Sequence, residues 1–252
     1  AQLRGNIGAG YTRGTGTPVA GVETSEFFGW SLSLDGTRLA VGSRNDDGAV
    51  GDTGFAGAVY LFTFADTDFS APTLQGILAV GYTGPRSLDV PGLVSGASFG
   101  TSVSLDDNRL AVGASNLANG GTVYLFTFSD ALFSSPTLAL RIGAGLSGPN
   151  ELSVAAETND FFGYSVALDG NRLAVGAPND SGFANASINP GAVYLFSFAD
   201  AAFTAPLQEA IIGSGYTGGK NIDFAALEAV DFFGSSVSLQ GLRLVVGAEA
   251  DD

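Results

Sequence analysis

The 252-residue chain has no cysteine, no histidine and no methionine. These absences remove disulfides, thiolate and imidazole metal sites, and the commonest nucleophilic and acid-base catalytic groups. Zinc, haem and iron-sulfur chemistry have almost nothing to hold them. Positive charge is also scarce: 10 lysines and arginines face 25 acids, for a formal charge of -15. Such a surface repels phosphate, so we expect no nucleic-acid partner, and anionic membrane is disfavoured for the same reason. Cations and basic partners are the compatible ligands. No run approaches the roughly eighteen apolar residues that span a bilayer, so no membrane insertion is expected. No signal segment opens the chain, and its start at Ala1 reads as a processed or excised segment. Lack of cysteine fits bacterial exoproteins without fixing a compartment.

What is present is glycine, phenylalanine and repetition. Thirty-seven glycines and nineteen phenylalanines, with 14% charged residues, describe tightly packed sheets and turns and not a disordered polymer. The pattern F-G-x-S-[VL]-x-L-[DQ]-x-x-R-L-x-V-G occurs four times, beginning at Phe28, Phe99, Phe162 and Phe233. A recurring unit of this kind is one supersecondary structure copied in tandem, burying its apolar faces against its neighbours.

In the third copy, Phe162 to Leu168 alternates apolar and polar residues, 169–171 supply a tight turn, and Arg172 to Ala177 is a second apolar run. This predicts a hairpin. Gly191 to Phe198 and Leu207 to Gly213 follow as third and fourth strands. The equivalents are Gly57 to Phe64 and Gly121 to Phe128, then Leu74 to Val80 and Leu138 to Ile142. The fold class is therefore all-β, with tandem four-stranded antiparallel sheets arranged as in a β-propeller; an open superhelical array of the same blades is the alternative. The whole chain reads as one array, with units at approximately 1–26, 27–97, 98–160, 161–231 and 232–252. Connectors such as 216–231 are too long for hairpins, and Phe224 to Glu228 is predicted as a helical turn. Leu3 to Gly8 resembles a fourth strand, and the chain stops before another G-A-V-Y-L-F strand. The last unit is thus expected to be incomplete, completed by a longer parent chain or a neighbouring molecule.

Phe162-Gly163, Gly176-Ala177-Pro178 and Gly191-Ala192-Val193-Tyr194 resemble the FG-GAP repeat of integrin alpha-subunit propellers and many large bacterial surface proteins. Only the third copy has a literal Gly-Ala-Pro; the others read Gly42-Ser43-Arg44, Gly113-Ala114-Ser115 and Gly247-Ala248-Glu249. Integrin-type repeats often carry an Asp-x-Asp-x-Asp-Gly calcium loop between the first two strands. The turns here begin Asp35-Gly36, Asp106-Asp107, Asp169-Gly170 and Gln240-Gly241, with at most two carboxylates. Calcium takes six to eight oxygens, so that family site does not carry over. The short-turn form is similar to tandem FG-GAP arrays of bacterial exoproteins, which implies an extracellular or cell-surface role.

Arg38, Arg109, Arg172 and Arg243 occupy one equivalent position per unit, where a structural bridge to a repeated acid or loop carbonyl outweighs a ligand-binding ring. Asp66, Asp130 and Asp200 are the candidate partners or turn caps. Asp46, Asp47 and Asp52, on the variable loop after the second strand, could hold a calcium ion, the competing reading being a solvated acidic loop. No cofactor is required by this pattern. Asn185-Ala186-Ser187 matches a glycosylation sequon. Phe27-Phe28, Phe161-Phe162 and Phe232-Phe233, with the Tyr-x-Phe of each third strand, are expected as inter-sheet core and not sugar platforms. Trp30 breaks the repeat at its position.

The expected function is a non-enzymatic extracellular repeat module of an adhesin, matrix or filament, partnered by copies of itself or adjoining repeats of a longer chain through blade packing or strand-edge pairing. A discrete propeller binding calcium, glycan or a basic protein is the alternative. A carboxylate-dependent hydrolase would need two converging acids, and no non-repeated pair presents itself.

Overall fold

The computed structural model describes residues 5–10, 16–19, 22, 25–49, 54–116 and 120–251. No α-helix occurs among them. A short parallel pair, β1 (Asn6–Gly8) and β2 (Gly16–Pro18), precedes the first full sheet. That sheet runs β3 (Phe28–Asp35), β4 (Arg38–Ser43), β5 (Ala58–Thr63), β6 (Thr73–Ala79) and β7 (Leu88–Asp89). The second is β8 (Phe99–Asp106), β9 (Arg109–Ala114), β10 (Thr122–Thr127), β11 (Thr137–Gly143) and β12 (Glu151–Ser153). The third is β13 (Ser165–Asp169), β14 (Arg172–Ala177), β15 (Ala192–Ser197), β16 (Leu207–Gly213) and β17 (Ile222–Asp223). The hairpin of β18 (Phe233–Gln240) and β19 (Arg243–Ala248) begins a fourth. These tandem sheets are propeller-like blades, and the described residues do not close into a barrel.

Each of the three complete blades is four antiparallel strands, as the sequence predicts, plus a fifth that it does not. β7, β12 and β17 lie parallel to the fourth strand and come from the connectors. They are two or three residues long and paired through backbone, so no alternating pattern announces them. In β1 and β2 the Val19 amide meets the Gly8 carbonyl, as Val90 meets Ala79, Val154 meets Gly143 and Phe224 meets Gly213. The pair thus repeats the fourth and fifth strand positions. The helical turn predicted over 224–228 is instead a single tight turn closed by the Leu227 amide on the Phe224 carbonyl at 3.1 Å. Two- and three-residue strands leave the connector too little length for a helical nucleus to compete.

First and second strands meet through two-residue turns whose first residue has positive φ: Gly36 at 59°, Asp107 at 49°, Gly170 at 56° and Gly241 at 55°. This is the II′ pattern suited to the twist of adjacent strands. The core lies between blades. Ala40, Val59, Leu61 and Leu78 face Phe99, Val112 and Tyr124 across the first junction, and the second is built from the same positions one unit on. Phe99 meets Tyr124 edge-on at 5.3 Å, as Phe162 meets Tyr194 at 5.2 Å. Each such fully buried ring contributes about 1.5–3 kcal/mol. The core expectation therefore holds for the Tyr-x-Phe positions and for Phe162, all essentially inaccessible, and Phe99 at the equivalent place in the second blade is buried as well. It fails for Phe27, which is 50% exposed. Phe27, Phe161 and Phe232 each take positive φ ahead of the Phe-Gly bulge, which turns the first ring of the pair away from the blade interior.

A polar seam repeats at every junction. The Ser31 hydroxyl donates to the Gly100 carbonyl, Ser102 to Gly163 and Ser165 to Gly234, each at 2.8 Å. Beside it the Leu105 amide donates to Ser33 Oγ and the Leu168 amide to Ser104 Oγ, both at 2.9 Å. The carbonyl comes so close that a Cβ on Gly42, Gly113 or Gly176 would lie 2.1, 1.8 or 1.9 Å from it. Only glycine admits that approach.

Candidate functional site

The repeated arginines belong to the seam. Arg38, Arg109 and Arg172 pair with Asp35, Asp106 and Asp169 across their own hairpin turns. The same carboxylates accept amides from the next turn: Asp107 on Asp35 at 3.1 Å, Gly170 on Asp106 and Gly241 on Asp169 at 2.9 Å. Arg38 reaches on to Asn108 Oδ1 and Arg109 to the Gly170 carbonyl. Arg243 sits opposite Gln240 and makes no ion pair among the described residues.

Asp66, Asp130 and Asp200 each close their own turn. Asp130 Oδ1 accepts the amides of Leu132 and Ser134, and Asp66 and Asp200 do the same at their equivalents. These bonds hold the Asp130 and Asp200 carboxyls below the ordinary carboxylate value, led by the Ser134 amide in one and the Thr204 hydroxyl in the other. The link to the arginines is indirect. The Asp130 turn sets the buried Phe133 ring, over which Arg38 of the preceding blade lies at 5.9 Å, and Phe203 receives Arg109 at 5.8 Å.

The chemistry-bearing loops leave the second strands on one side of the array. Their first acid is fixed by backbone: the Asp46 amide turns onto the Ser43 carbonyl and its carbonyl accepts the Gly57 amide, and Asp180 repeats this with Ala177 and Gly191. Both side chains are driven inward, 1% and 2% exposed. Asp46 accepts the Tyr60 hydroxyl at 2.6 Å and the Gly48 amide at 2.9 Å. Asp180 accepts the Tyr194 hydroxyl at 2.7 Å, the Gly182 amide at 2.8 Å and Tyr216 at 3.0 Å. Burial lifts both carboxyls above their ordinary value against the pull of these donors. Burial and the facing carboxylates push the Tyr60 and Tyr194 hydroxyls up as well.

A second acid, preceding each Phe pair, closes the cluster. Glu26 is buried, and carboxylate oxygens of Glu26, Asp46 and Asp47 lie within 4.8 Å of one another. In the third blade Asp160 stands at this place, pushed up to about 7 by burial first, with the charges of Asp180 and Glu157 adding. Asp160 and Asp180 line a cavity of about 170 Å³ with Glu157, Asn185 and Tyr216. Asn185, of the sequon, donates to Glu157 at 2.9 Å. The second blade has Ala97 there and, in sequence, Leu117 at the position of Asp46; its Tyr124 hydroxyl reaches the Gly92 carbonyl at 3.4 Å.

Of the predicted calcium residues, the structure brings Asp46 and Asp47 together and adds Glu26, while Asp52 lies outside the described residues. The tyrosine partners were not anticipated, although their signal is present. Asp46 and Tyr60 are separated by the same fourteen residues as Asp180 and Tyr194. Trp30 is 44% exposed, with the Arg44 guanidinium stacked 3.5 Å over its ring.

The blades, their Phe-Gly bulges and the glycine seam define a propeller-like tandem-repeat protein. The FG-GAP repeat model matches residues 20–62, 93–126 and 155–196, each stretch ending on the third-strand phenylalanine of its blade, and the chain carries an FG-GAP repeat array. No curated protein matches the chain. FG-GAP repeats are generally structural or binding units and typically occur in extracellular or surface proteins. Among the described residues no helix is long and apolar enough to cross a membrane.

Proposed function

We infer that the chain is a non-enzymatic module of an extracellular adhesin, matrix or filament, acting through the blade array itself. The supporting observation is the seam: three successive junctions use the same serine, glycine and turn contacts, so length is added by repetition without new chemistry. The acidic surface and the lack of histidine and cysteine agree with a binding or structural role. Antibody labelling of intact cells of the native host tests the location. Surface staining without permeabilisation is expected; signal only after permeabilisation overturns the reading.

A second reading, calcium held at the loop face, is favoured by the convergence of Glu26, Asp46 and Asp47. Three carboxylates with backbone carbonyls approach the oxygen count calcium takes. Calorimetric titration with calcium is expected to show heat that Asp46→Asn and Asp47→Asn each abolish. Absence of heat in the unaltered chain removes this reading.

A further inference from the structure

We propose that the chain binds a second copy of itself head to tail, the β18–β19 hairpin of one copy docking on the β3 face of the next to form a fourth seam. This rests on the repeat-module reading above and gives that module its partner.

The two surfaces are the unmatched halves of a junction made three times within the chain. On β3, alternate residues point to opposite faces. Ser31, Ser33 and Asp35 face the second blade and are bonded there. Trp30, Leu32 and Leu34, on the other face, are 44%, 63% and 49% exposed. Their counterparts on β8, Thr101, Val103 and Leu105, are 5%, 8% and 7% exposed because the preceding blade covers them. At the other end, Ser236, Ser238 and Gln240 occupy the positions of Ser31, Ser33 and Asp35, and all three are exposed.

The glycines give the same result at atomic scale. Gly100, Gly163 and Gly234 are each crowded by backbone of the preceding blade, whereas among the described residues nothing lies within 4 Å of a Cβ on Gly29. Gly42, Gly113 and Gly176 each meet a carbonyl of the following blade, whereas Gly247 meets only the side chains of Ser235 and Ser236. Among the described residues, Gly29 thus meets no preceding blade and Gly247 no following one.

Placed together as at the internal junctions, the Ser236 hydroxyl donates to the Gly29 carbonyl and Ser238 Oγ accepts the Leu34 amide. The Gln240 carbonyl takes the Gly36 amide in place of the usual aspartate. Arg243, without an ion pair among the described residues, reaches the Gly36 carbonyl as Arg109 reaches Gly170. β1 and β2, in the fourth and fifth strand positions, already cover the outer part of the first blade through Val19 against Val41, Tyr60 and Phe62. The docked hairpin supplies the first and second positions of that same shared blade, leaving the third position, between the second and fourth strands, without a strand.

Sedimentation velocity on the 252-residue chain across the micromolar range tests this. Average mass is expected to rise with concentration as dimers and longer species form. Leu32→Glu spoils the head and Gly247→Val spoils the tail, and each alone is expected to weaken association by at least about tenfold. Mixed in equal amounts, they retain one good head and one good tail between them and are expected to give a dimer and nothing longer. Circular dichroism melts check folding, and Ser238→Lys, on an exposed side chain, replaces Gly247→Val if that variant unfolds. A folded chain of constant monomer mass overturns the proposal and leaves these faces to blades in the same polypeptide, without bearing on the surface labelling above. Association that survives both variants also overturns it, in favour of pairing along the β19 edge.

Discussion

The first and second blades are built on one pattern yet differ in two respects. The second is covered on both faces and carries no acid pair at its loop base, while the first exposes the β3 face and buries Glu26 beside Asp46. The second blade holds the same backbone turn without the acids, its Asn116 amide on the Ala97 carbonyl matching Asn45 on Glu26. Folding of the unit therefore does not require the carboxyls. The acid-tyrosine pairs of the first and third blades are an addition to the scaffold, and a costly one, since burial raises the carboxyl pKa values.

The comparison can be broken most severely at the covered junction. Gly113→Val sets a side chain against the Gly163 carbonyl and is expected to destabilise the array by about 3 kcal/mol or more in urea unfolding. Gly247→Val, whose site faces no second blade, is expected to cost much less in the same assay at low protein concentration. Near-equal losses would mean that the seam is not what makes these glycines necessary.

A middle-sized effect separates the blades by their tyrosines. Tyr194→Phe removes the shortest donor to buried Asp180 and is expected to cost about 1–2 kcal/mol. Tyr124→Phe gives up a long bond to the Gly92 carbonyl and the contact with Arg141, leaves no buried carboxyl without its donor, and is expected to cost less, under about 1 kcal/mol. Chemical denaturation of the two variants side by side provides the check.

The smallest effect is pH dependence. Asp160 binds its proton more tightly folded than unfolded, so its favourable contribution is complete below the ordinary value of 3.8 and is lost as pH rises through about 7. Asp160→Asn keeps an acceptor for the Glu157 amide and cannot ionise. The variant is expected to flatten the stability profile across that window and to gain about 1 kcal/mol above neutral pH, after allowance for solvent screening. Melting temperatures from pH 4 to 8 would expose the opposite slope if burial is not the dominant influence.

The repeated Phe-Gly pattern, the two-residue turns and the Tyr-x-Phe strands made the four antiparallel strands legible, because alternation and turn chemistry are local. The fifth strands were not, since Leu88-Asp89 and Ile222-Asp223 pair by backbone alone. Their only trace is an acid placed to accept the amide of Gly81 or Gly215. At the loops, Asp46 and Asp47 stood out as acids in sequence, but their convergence with Glu26 depends on bringing two segments twenty residues apart to one point. The role of Asp130 was hidden for a similar reason: it acts on Arg38 through a phenylalanine ring in a different blade.

The fifth strand has a consequence for how such a protein can grow. By occupying the outer margin of every complete sheet with two or three residues, β7, β12 and β17 leave too short an edge for a foreign strand to zip onto. Edge-to-edge accretion is blunted at each of the three complete sheets. Contact between one sheet and the next is thereby left to the faces, where the serine-glycine seam fits a specific partner and a bare edge would accept any strand.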